Sequence, residues 1–80
     1  MTNEYIHDYF LDASGLLCPE PIMMLHNAVR DVEDGQIIKM LSTDPSTQRD
    51  IVRFCEFLGH ELLGSEEQDG QFLFWLRKVD

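Results

Sequence analysis

The chain predicts an α+β two-layer sandwich of element order β-α-β-α-β-β. Three observations carry that expectation. Strand-like apolar runs alternate with stripes of apolar residues spaced three and four apart. Two proline-marked helix starts, Cys18-Pro19-Glu20-Pro21 and Asp44-Pro45, each follow a strand-like run. An Asp69-Gly70 pair then separates the last two runs, as in a hairpin. Two right-handed crossovers between parallel strands place both helices on one face, and the hairpin adds an antiparallel return.

Met1 to His7 is polar and aperiodic and is expected to form a loose start; Asp8 to Asp12 reads as a short strand and Ala13-Ser14-Gly15 as a turn. From Pro19 onward Ile22, Leu25, Val29 and Val32 draw one buried stripe along a helix that ends before Gly35. Met24 lies off that stripe, where a soft side chain near Cys18 suits a contact patch as well as loose packing. Ile37 to Ser42 is nearly continuously apolar, as expected of a central strand. Asp44 is placed to cap a second helix with Pro45 in its first turn; Ile51, Phe54, Cys55 and Leu58 form its buried stripe and Gly59 ends it. His60 to Glu66 is the next strand, Glu67 to Gly70 the turn, and Gln71 to Lys78 the last strand.

Eighty residues suffice for one domain with one core, spanning residues 1–80 with 1–7 as its loose end. No apolar run is long enough for a membrane span or a signal segment, so a cytoplasmic protein without membrane association is expected. Two widely separated cysteines match neither a secreted disulfide framework nor a zinc site, which fits a reducing compartment and no bound metal. A formal charge of -9 opposes direct, tight binding to nucleic acid. It suits a solvated exterior or a basic protein partner.

The candidate site is Cys18. At or beside the cap of a helix, its thiol is expected to meet unpaired N–H groups and the positive end of the helix dipole, which lower a thiol's pKa. Pro19, Glu20 and Pro21 support that helix start. Both crossover helices begin at the same sheet edge, so Asp44-Pro45 is expected beside Cys18, with Thr43, Asp44, Thr47, Arg49 and Arg53 as rim candidates. Hydrolytic use of the sulfur needs a nearby base, and the histidines do not supply one: His26 lies about 12 Å of helical rise away, His7 is in the loose start, and His60 follows Gly59. Disulfide reduction needs a resolving thiol, and no C-x-x-C pair is present. What remains is an exposed sulfur without an expected pocket or cofactor, suited to accepting and releasing a persulfide sulfur. A regulatory or protein-binding module, and a thiol enzyme whose partner supplies the base, are the competing expectations.

The runs Leu11 to Met24, Asp44 to Ile51 and Phe54 to Phe57 resemble the TusA/SirA family of small sulfur carriers, with C-P-x-P and D-P-x-T-x-R-D-I both present. The resemblance covers residues 8–78. It implies a mixed sheet of order 1-2-4-3 and a persulfide carried on Cys18. It also implies a cysteine desulfurase as donor, a downstream sulfur-relay protein as acceptor and, in its nearest branch, 2-thiolation of the tRNA wobble uridine; a SirA-like paralogue would serve another pathway. Leu17 stands where relatives commonly carry a basic residue, and His26 and Asn27 replace basic residues along the first helix, while Arg30 is retained. Leu17, Met24, His26, Arg30, Asp44, Pro45 and Arg49 are the candidate partner contacts.

Overall fold

A computed structural model describes residues 7–79, so most of the expected loose start lies outside the described residues. The elements are β1 (Tyr9–Ala13), α1 (Glu20–Asp31), β2 (Ile37–Ser42), α2 (Thr47–Leu58), β3 (Glu61–Gln68) and β4 (Gln71–Arg77). They form one four-stranded mixed sheet of order β1-β2-β4-β3. β1 pairs parallel with β2, and β4 runs antiparallel to both β2 and β3.

Strand alternation selects the covered face. Leu11 and Ala13, Ile38 and Met40, and Phe72, Phe74 and Leu76 are buried in one cluster with Leu25, Ala28 and Val29 of α1 and Ile51, Phe54 and Cys55 of α2. Both helices therefore cover the same face. Cross-strand registry aligns the rows, with Met40 opposite Leu11 on one side and Phe74 on the other. On the opposite face Trp75 is buried, with the Lys39 ammonium 5.5 Å from its ring centroid.

Several boundaries differ from expectation. Ala13 belongs to β1 instead of the turn, because it pairs with Ser42 and is fully buried. α1 ends at Asp31, before Gly35 as expected, and Val32 of the expected stripe is its cap, with the Val32 N–H closing the helix on the Ala28 carbonyl at 3.2 Å. α2 starts at Thr47 with Ser46 at its cap, so Pro45 lies ahead of its first turn. The reason is a tight turn in which Thr47 N–H reaches the Asp44 carbonyl at 3.0 Å and Gln48 N–H the Pro45 carbonyl at 3.2 Å. β3 runs on to Gln68, leaving only Asp69 and Gly70, at φ 53° and 80°, as the two-residue hairpin turn. Lys78 leaves β4 but holds the far end together: its N–H donates to the Gln36 carbonyl at 2.9 Å, and its ammonium donates to the Val32 carbonyl at 2.8 Å. No helix among the described residues is long and apolar enough to cross a membrane.

Candidate functional site

The loop after β1 and the loop after β2 meet at one sheet edge and are tied together by hydrogen bonds. Gly15, at φ 80°, donates its N–H to the Thr43 hydroxyl at 2.8 Å, and the Cys18 N–H donates to the Asp44 carboxylate at 2.7 Å. The other oxygen of Asp44 accepts the Ser46 N–H at 3.0 Å. These N–H donors, Cys18 first, hold the Asp44 carboxyl below the usual carboxylate range. The expected neighbourhood of Cys18 and Asp44-Pro45 is present. Thr47, however, is buried against Ser42, with the two hydroxyls 2.9 Å apart, so it forms no part of the rim.

Cys18 lies immediately before the α1 cap residue Pro19, and the bond between them is cis. Its sulfur is exposed, and its thiol donates to an Asp50 carboxylate oxygen at 3.2 Å. This reverses the expected direction of its pKa. The hydrogen bond to Asp50 pushes the thiol up, loss of solvation and the Asp50 and Asp44 charges act the same way, and the Ser46 hydroxyl opposes them only in part. The helix start offers little in return. Pro19 and Pro21 have no N–H, and the Glu20 N–H is already donated to the Leu17 carbonyl at 2.9 Å. The same two prolines that mark the helix start remove donors that could have stabilised a thiolate.

The expectation of a site without a pocket is also corrected. A groove of about 390 Å³ opens beside Cys18 between the outer flanks of α1 and α2. Pro19, Ile22 and His26 line one wall; Asp50, Arg53, Phe54, Phe57 and Leu58 line the other. Ile22 and Leu58, expected within the buried stripes, turn toward this groove and not squarely onto the sheet; Ile22 is half-buried and Leu58 is 40% exposed. Phe57 is 89% exposed.

The remaining candidates distribute as follows. Leu17 is exposed next to the sulfur. Met24 is half-buried against the core, while its neighbour Met23 is the exposed methionine. His26 is exposed, and its ring stands edge-on to Phe54 at 4.7 Å. Arg30 lies outside the groove lining and bonds to the Asn27 side chain. Pro45 is exposed, and the Arg49 guanidinium lies 3.8 Å from Asp50. Glu20 is the first residue of α1, and Pro21 is buried beneath it. Asp50 is the residue that sequence reasoning missed. The signal was present in the 50, 53, 54, 57, 58 spacing, which puts one charged and aromatic flank on α2. Among the described residues, no group of three or more His, Cys, Asp or Glu is arranged to hold a metal ion.

Comparison with known proteins agrees with this architecture. The family described as Sulfurtransferase TusA matches residues 9–78. The chain is 59% identical over 75 residues to the sulfur carrier protein TusA of Pseudomonas entomophila strain L48, covering 94% of each. It is 56% identical over 75 residues to the protein of the same name from Pseudomonas putida strain GB-1, again covering 94% of each. A crystal structure of a SirA-like protein from Desulfitobacterium hafniense superposes with a TM-score of 0.80 at 20% identity, covering 91% of this chain and all of the other. At that identity the likeness concerns the fold.

Proposed function

The chain belongs to the TusA family, and from that premise we propose that it carries sulfur as a persulfide on Cys18. The observation that carries this reading is the position of the sulfur: exposed, at the shared edge of two helix starts and at the mouth of an apolar groove. Cys55 is buried and does not compete.

Loading is an exchange at sulfur. Cys18 Sγ attacks the outer sulfur of a persulfide on a cysteine desulfurase, a new S–S bond forms, the donor's S–S bond breaks, and the donor cysteine leaves as thiol. In discharge an acceptor thiolate attacks the outer sulfur and Cys18 departs. No net oxidant or reductant is consumed in either step. The proposed acceptor is a downstream relay protein, with 2-thiolation of the tRNA wobble uridine as the destination. The -9 charge supports a carrier that meets proteins and leaves RNA to a later component. The exposed residues Leu17 and Phe57 and the groove beside Cys18 are the proposed contact surface for these proteins.

Incubation of the full chain with a cysteine desulfurase and cysteine, followed by intact mass and peptide mapping, is expected to show one labile added sulfur on Cys18. Cys18→Ser is expected to abolish it. An unmodified Cys18 after desulfurase turnover ends the proposal. Wobble-uridine thiolation in a strain carrying Cys18→Ser then fixes the destination: loss supports the tRNA route, and full thiolation, when the wild-type protein loads on Cys18, assigns the sulfur to another pathway.

A further inference from the structure

We propose that Asp50 is a positioning residue that holds the proton on Cys18 in the free carrier, so that the exposed sulfur rests as a guarded thiol. The inference rests on the reading of Cys18 as the transfer thiol and concerns how its reactivity is controlled. Three features of the geometry carry it. Asp50 is delivered by the first turn of α2, and one carboxylate oxygen accepts the Cys18 thiol hydrogen at 3.2 Å. The side chain is only 19% exposed, and its other oxygen lies 3.8 Å from the Arg49 guanidinium. The nearby α1 terminus supplies few free N–H donors to favour a thiolate, because two of its first residues are prolines.

The alternative, that Asp50 is a general base, is disfavoured by the direction of its effect. A thiol that donates to one carboxylate, with the Asp44 charge also beside it, is favoured in its protonated form. The bond therefore acts on the resting state. The charged groups facing or bordering the sulfur are Asp44 from the β2–α2 loop, Glu20 and His26 from α1, and Asp50, Arg49 and Arg53 from α2. Of these, Asp50 accepts the hydrogen bond from the sulfur. The proton leaves at loading, when thiol and donor persulfide become carrier persulfide and donor thiol. Once Sγ is bonded to a second sulfur it has no hydrogen to donate, so loading breaks the Asp50 contact and discharge restores it. A donor that sets a cationic side chain against Asp50 weakens the guard at the moment of transfer.

The test is the pH profile of Cys18 alkylation by iodoacetamide, read by peptide mass spectrometry on the full chain from about pH 6 to about pH 10. Asp50→Asn is expected to move the profile to lower pH and to raise the neutral-pH rate about threefold or more, a conservative figure for an exposed charge-assisted contact. Asp50→Glu, which restores the carboxylate, is expected to return the profile toward wild type. An unchanged profile in a folded Asp50→Asn protein overturns the assignment, as does an equal shift in both variants. Should the variants fail to fold, the wild-type Cys18 Cβ resonance is followed instead; titration at or below the ordinary thiol value of 9.0 overturns it. Alkylation needs no sulfur donor, so the two readings fail separately. A carrier that never loads ends the persulfide proposal alone, and an Asp50→Asn protein that loads with the wild-type alkylation profile ends this one alone.

Discussion

The two cysteines show how differently one side chain behaves when its neighbours differ. Burial pushes the Cys55 thiol up to about 11 from 9.0, whereas at exposed Cys18 a hydrogen-bonded carboxylate does the raising. Cys55 packs in the core cluster, so Cys55→Ala is expected to cost about 1–2 kcal/mol through lost packing while sulfur loading on Cys18 persists. The pH dependence gives a second readout. A thiol whose folded pKa is raised contributes stability that is complete below its unfolded value near 9.0 and is lost as pH rises through about 11. Urea unfolding across that window is therefore expected to show the gap between wild type and Cys55→Ala narrowing; a constant gap counts against the burial effect. Cys18 was legible in the sequence because proline chemistry is local, and Asp44 because both crossovers deliver their helix starts to one sheet edge. The capping role expected of Asp44 falls to Ser46, and Asp44 accepts the Cys18 N–H instead. Asp50 and the direction of the Cys18 shift were not legible. They depend on the docking of α2, which brings Asp50 to a thiol 32 positions earlier in the chain.

At the scale of elements, periodicity located every strand and helix, but the hydrogen bonds that decide their ends were out of its reach. Pro45 marked the approach to α2 correctly and its first turn incorrectly, since a proline at the head of a tight turn and one inside a helix satisfy the same φ. The C-terminal end of α2 was easier to place. Gly59 has φ 79°, and the N–H groups of Gly59 and His60 both reach the Cys55 carbonyl, at 2.9 and 3.0 Å. A Cβ on Gly59 would meet no heavy atom within 4 Å, so only backbone strain opposes a side chain there. Gly59→Ala is accordingly expected to cost about 1 kcal/mol in chemical denaturation, and Gly59→Asn less. Equal stability of all three proteins would mean that the turn relaxes out of the left-handed region.

For the whole molecule, right-handed crossovers explain why two helices share one face, but the 1-2-4-3 order was supplied by family resemblance, because periodicity does not say which strand inserts between β2 and β3. The groove was invisible for a related reason: it exists only between the flanks of two helices packed side by side. Charge, by contrast, is a property of the composition, and its consequence can be calculated from size. Fifteen acidic residues against six basic ones leave -9 on a body measuring 32 × 31 × 19 Å. At about 0.01 M salt the screening length is about 30 Å, so acidic groups across the molecule repel one another; at about 0.15 M it falls to about 8 Å and mainly near neighbours count. Self-repulsion opposes the compact state. Raising NaCl between those limits is therefore expected to increase the melting temperature, and relief of even about 0.5 kcal/mol corresponds to roughly 2–4 °C in a domain of this size. The local pairs Arg77–Glu61 at 2.6 Å and Lys78–Asp34 at 3.9 Å are weakened by the same salt and work in the opposite direction. A melting temperature that falls with NaCl would show that these pairs outweigh the net charge. A rise shows that the excess of carboxylates, including Asp44 and Asp50 around the sulfur, is held in the fold against their mutual repulsion.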